Sequence, residues 1–125
     1  MCIKLRQTGK IIVPGQTAII KTKRGDKASM WGFDNGMGIQ ANARIESLKE
    51  KWLKKGYAIG TFEIESFYEA NHKERQEKEF KFSGEVGIIY KGEHFLVVTE
   101  EAGSQVKKIH HRQPCIRQLK LLLAA

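Results

Sequence analysis

Hydrophobic and polar positions change period several times along this chain. Residues Ile11 to Lys21 read as extended backbone, kinked at Pro14-Gly15 before the run Thr17, Ala18, Ile19 and Ile20. Lys23-Arg24-Gly25-Asp26 predicts a hairpin turn, Ala28 to Phe33 the return strand, and Asn35-Gly36-Met37-Gly38 a second loop. From Ile45 the period becomes helical. Ile45, Leu48, Trp52 and Leu53 fall on one face, Glu46, Lys49, Glu50, Lys51 and Lys54 on the other, and Gly56 is placed to cap the C-terminus. Alternation returns over Thr61 to Glu69, with Phe62, Ile64 and Ser66 on one face and Glu63, Glu65 and Phe67 on the other. Asn71 to Lys78 reads as a polar loop, followed by short β runs around Glu79 to Phe82, Val86 to Tyr90 and His94 to Thr99, the last two joined by a Lys91-Gly92-Glu93 turn. Ser104 to Ile109 predicts a short helix, and the apolar tail Leu119 to Ala125 a short docking helix or strand. The sum is one α+β domain over residues 1–125, predominantly antiparallel β, with one clear amphipathic helix.

Composition narrows the class. With 41% hydrophobic and 29% charged residues the chain fits an ordinary globular domain. No apolar run approaches the ~18 residues of a membrane helix, and the N-terminus lacks the apolar stretch of a secretory signal. The expected location is cytoplasmic and nucleoid-associated, with no membrane partner. Lysine and arginine number 22 against 14 acidic residues, a formal charge of +8, which favours polyanions and makes nucleic acid the leading partner class. Cys2 and Cys115, almost a chain length apart, read as thiols rather than a disulfide. Neither paired cysteines nor spaced histidines surround His110, His111 and Cys115, so no metal and no other cofactor is expected.

Five short stretches then fall in a telling order: Met1-Cys2; Val13-Pro14-Gly15; Trp31-Gly32 with Asn42-Ala43-Arg44; Phe67-Tyr68-Glu69; and Phe95 to Thr99 followed by Ile109-His110-His111-Arg112-Gln113-Pro114. Together they resemble the SOS response-associated peptidase domain family, known for abasic-site processing, over roughly Met1 to Pro114. The chain departs from the family at Ile3-Lys4, where Gly-Arg is usual, and is shorter between Cys2 and Pro14 and after Pro114. The resemblance implies a compact version of that barrel-like fold.

It also implies a reaction. An abasic deoxyribose opens to an aldehyde that a neutral amine attacks to give an imine. An α-amine with a pKa of about 7.7–8.0 is neutral far more often near pH 7 than a lysine at ~10.4. If Met1 is removed, Cys2 carries that amine together with a thiol that closes on the imine carbon as a thiazolidine. Glu69 would act as general acid/base, His110 would move protons near neutral pH, and Asn42 would orient the amine or a sugar hydroxyl. Arg44 and Arg112, with Lys4 and Thr99, are the expected phosphate contacts, and Trp31 and Pro14 the surfaces on which a base stacks. The partner is single-stranded DNA containing abasic sites, bound by a monomer, with associated lyase activity through the same imine.

Taken alone, Glu69 reads as an exposed strand residue, and Trp31 equally well as a core residue. Two other functions remain open on the sequence. One is a thiol-dependent (auto)peptidase using Cys2 with His110; the other is a non-catalytic basic module for single-stranded nucleic acid.

Overall fold

A computed structural model describes residues 2–71 and 75–124. Met1 lies outside the described residues, as do residues 72–74 of the predicted polar loop and residue 125 of the tail.

Eleven strands run through the described chain: β1 (Cys2–Gln7), β2 (Lys10–Ile12), β3 (Thr17–Thr22), β4 (Gly25–Trp31), β5 (Phe33–Asp34), β6 (Ile39–Gln40), β7 (Asn42–Arg44), β8 (Ala58–Asn71), β9 (Gln76–Lys91), β10 (His94–Glu101) and β11 (Arg112–Pro114). The predicted amphipathic helix occupies residues 45–55 as three consecutive tight and wide turns, and Gly56 ends it with φ of 93°. A single helical turn covers Val106–Lys108, and α1 (Leu119–Ala124) closes the described tail. The fold is α+β and mostly β. Among the described residues no helix is long and apolar enough to cross a membrane.

Five strands close on themselves. β10 pairs with β4, β4 with β3, β3 with β8 at Lys21 and Thr61, β8 with β9, and β9 with β10 again. Closure leaves no open edge within that ring. Alternation sets what fills it: Ala18 and Ile20 of β3, Trp31 of β4, Phe62 and Ile64 of β8, Val86 and Ile88 of β9, and Phe95 and Val97 of β10 form one buried cluster. The opposite parity of β9 and β10 is also covered. Ile89, Leu96 and Val98 pack with Leu48 and Trp52 of the 45–55 helix and Leu119 of α1 in a second cluster. Hence β10 is buried from Phe95 through Glu100, and its sequence lacks the clean alternation of a half-exposed strand.

The hairpin of β8 and β9 runs well beyond the barrel, and its far half carries β1 and then β2 as additional antiparallel strands. Between Ile64 and Ser66 the pairing register with β9 shifts by one residue. Such a bulge bends and twists the strand. On the barrel side Glu63 and Glu65 are exposed, as alternation predicts; beyond the bulge the same parity carries Phe67 and Glu69, and both are buried. The expectation of an exposed Glu69, drawn from alternation alone, therefore fails beyond the bulge, whose extra residue lies on β9.

Candidate functional site

The register of β1 on β8 sets Cys2 directly across from Glu69, with Lys4 opposite Tyr68, Leu5 opposite Phe67 and Arg6 opposite Ser66. A polar network on one face of this arm pins that register. The Arg6 Nε donates to Glu79 Oε2 at 3.1 Å and its Nη2 to the Tyr68 hydroxyl at 2.7 Å, while the Ser66 and Tyr68 hydroxyls donate to Glu79 at 2.7 and 2.8 Å. Those donors, Ser66 first, hold the Glu79 carboxyl down at about 2, so the network persists as an ion pair across ordinary pH. Lys4 lies on this same face, 2.7 Å from Glu77 and over the Tyr68 ring, rather than on the face of Glu69.

The other face carries the candidate acid/base residue. Glu69 has no exposed surface, and burial pushes its carboxyl up to about 7. A carboxyl so placed exchanges a proton near neutrality, as an acid/base catalyst must. Phe67, two residues before it, stacks on Phe80 at 5.4 Å and belongs to the barrel cluster, against which Ala41 and Ile109 also pack. Ala41 and Ile109 are the residues immediately before Asn42 and His110. One hydrophobic cluster thus takes in residues within two positions of all three polar candidates.

Asn42 opens β7, half-buried, in parallel register with Val97 of β10. Its approach is fixed by Trp31, whose indole Nε1 donates to the Ala41 carbonyl at 2.9 Å. Trp31, expected as a surface for a base, is fully buried and stacks at 6.4 Å on Phe95. It serves as a core residue because the barrel closes around it. Trp31→Ala is expected to cost about 3–5 kcal/mol, read as a lower urea midpoint with an unchanged slope, since it leaves a cavity and removes one of the two donors to the Ala41 carbonyl, the other being the Val97 N–H. Pro14 remains half-buried beside it, in a turn anchored by the Gly15 N–H donating to the Trp31 carbonyl at 2.7 Å.

His110 precedes β11, stacked on His111 at 4.4 Å. Its Nδ1 accepts the Arg112 backbone N–H at 3.0 Å. Arg112, expected as a phosphate ligand, is instead committed within the protein: it grips Glu46 with two bonds of 2.7 Å and donates to the Thr99 carbonyl at 2.8 Å. Thr99 is itself buried, its hydroxyl 3.4 Å from the same guanidinium, so neither side chain faces a DNA backbone. Arg44 does remain exposed, in register with Thr99 and 3.8 Å from Glu46.

Glu46 is the residue sequence reasoning passed over, assigning it to the outer face of the helix. Arg112 holds its carboxyl at about 2. No local pattern could have announced a partner 66 residues away. Cys115, by contrast, is buried, with its thiol pushed up to about 11 by burial, an unreactive group. Among the described residues no three His, Cys, Asp or Glu side chains group to hold a metal ion. No family model matches the chain, and no curated protein matches it.

Proposed function

We propose that this protein binds single-stranded DNA at abasic sites and links to it covalently through Cys2 after Met1 is removed, as a compact member of the SOS response-associated peptidase domain family. The observation that carries the reading is the pairing of Cys2 with a fully buried carboxyl, Glu69, that titrates near 7. Loss of Met1 would turn the Cys2 backbone nitrogen into a primary amine on the strand adjoining that carboxyl.

The reaction balances without a cofactor. The amine adds to the open-chain aldehyde at C1′ to give a carbinolamine, which loses one water to form the imine. The Cys2 sulfur then adds to the imine carbon, the thiol proton passes to nitrogen, and a five-membered thiazolidine results. Glu69 gives and recovers the proton needed for ring opening and dehydration. Elimination of the 3′ phosphate from the same imine is the associated lyase path. Arg44 and Pro14 are the DNA contacts this reading keeps, since both retain solvent exposure. Undamaged strands are then held only by screened phosphate contacts, and their binding falls with salt.

The test uses purified full chain whose intact mass establishes loss of Met1. Incubated with an oligonucleotide bearing one abasic site, it should give a single species that survives denaturation, at one protein per lesion, and none with the undamaged strand. A protein lacking Met1 that forms no such species overturns the reading.

A further inference from the structure

We propose that Glu46 is a positioning residue for His110, acting through Arg112 to hold the imidazole as the tautomer with its proton on Nε2. A backbone N–H only donates, so the 3.0 Å bond from Arg112 makes Nδ1 of His110 the acceptor nitrogen. In the neutral ring the proton must then sit on Nε2. What keeps the amide aimed is the anchorage of the rest of Arg112. The Arg112 side chain is 8% exposed, and its guanidinium is held by Glu46 with two bonds and by the Thr99 carbonyl with a third. Strand β11 is only three residues long, ends in proline and pairs with β10 at just Thr99, Glu100 and Glu101, so its ladder alone is a weak clamp. Glu46 supplies the missing fixed point from a different element, the first turn of the 45–55 helix, and that helix is fastened to the barrel by Leu48 and Trp52.

The consequence, which rests on the abasic-site reading, is a division of labour. With Nε2–H, His110 enters the reaction as a neutral hydrogen-bond donor to the sugar ring oxygen as it opens or to the departing hydroxyl, while the proton transferred comes from Glu69. A cysteine peptidase needs the reverse. There the distal nitrogen must accept the thiol proton, and the tautomer that allows this would set an Nδ1–H against the Arg112 N–H. The clamp thus selects against a Cys2–His110 nucleophile and base pair. It also takes the Arg112 fork out of phosphate binding, since a carboxylate already fills it.

Nitrogen chemical shifts of His110 in the full chain, with histidine labelled in ¹⁵N, test the clamp directly and need no activity. The wild-type protein should show a protonated Nε2 and an unprotonated Nδ1 at neutral pH. Glu46→Gln and Glu46→Ala should move both shifts toward a tautomer average, and so should Arg112→Lys, which keeps the amide but loses the fork. In the same variants the crosslinking rate at saturating oligonucleotide should fall about tenfold, a part of the roughly 10²–10³ that one preorganised hydrogen-bond donor contributes, with the affinity for undamaged strand unchanged. A wild-type His110 protonated on Nδ1, or folded variants with wild-type His110 shifts, overturns the proposal. A wild-type protein with the expected shifts but no crosslink would leave the clamp standing and remove only the abasic-site reading.

Discussion

Cys2→Ala is expected to abolish the denaturation-resistant adduct while leaving a trace of its first step. The α-amine survives this substitution and still condenses with the aldehyde, but without a thiol the imine reverts when the protein is denatured. Borohydride present during the incubation reduces the carbon–nitrogen double bond and should restore a stable crosslink in the variant. The comparison separates the two atoms on which the mechanism depends. A Cys2→Ala protein that crosslinks without reductant would assign the chemistry elsewhere. Cys115→Ala serves as the internal control and should behave as wild type, because that thiol is buried and held protonated.

Glu69→Gln should lower activity and raise stability together. The rate near pH 7 is expected to fall by roughly 10²–10⁴, the usual contribution of a general acid or base. The pH profile should change shape as well. With an acid titrating at about 7 and an α-amine that must be neutral, pKa about 7.7–8.0, the wild-type rate passes through a maximum. The glutamine variant keeps the rising limb of the amine and loses the falling limb of Glu69.

Stability runs the other way. The folded-state value of about 7 lies above the ordinary 4.5. Folding therefore takes up a proton between those values, and stability contributed by the neutral form is present below 4.5 and lost as pH rises through 7. At pH 8 the buried carboxylate costs about 3 kcal/mol by this linkage. Glutamine should recover up to that amount at pH 8 and nothing at pH 4, measured as urea midpoints at the two pH values. A variant no more stable than wild type at pH 8 would show that the carboxylate carries no burial penalty. Sites that trade stability for a perturbed group behave in this way.

Much of the architecture was legible because its elements are governed by local rules. The heptad-like spacing from Ile45 to Leu53 and Gly56 at φ of 93° produced the helix where the pattern put it. The two-residue turns after Thr22 and Lys91 fell inside the predicted turns. Strand β9 was harder, because its Phe82-Ser83-Gly84 interruption breaks the apolar pattern, and Phe82 and Ser83 fall in the register shift while pairing with β8 continues on either side. The opening strand β1 has mixed polarity and owes its place to Arg6 and Leu5 finding partners on β8.

The candidate site divides along the same line. Sequence by itself determined the basic charge, the helix, the alternating strands and the residue types gathered in Asn42, Glu69 and His110, because each is a property of a few neighbouring residues. Tertiary structure alone decided that Cys2 pairs in register with Glu69, that Trp31 belongs to the core, and that Arg112 answers to Glu46. Those pairings depend on a bulge, on barrel closure and on contacts between distant parts of the chain. The period of a sequence carries which face a residue takes, but a single inserted residue or a second covering layer can reverse its burial. Beyond the bulge, Glu69 is a buried acid titrating near 7 rather than the surface acid of the alternating pattern.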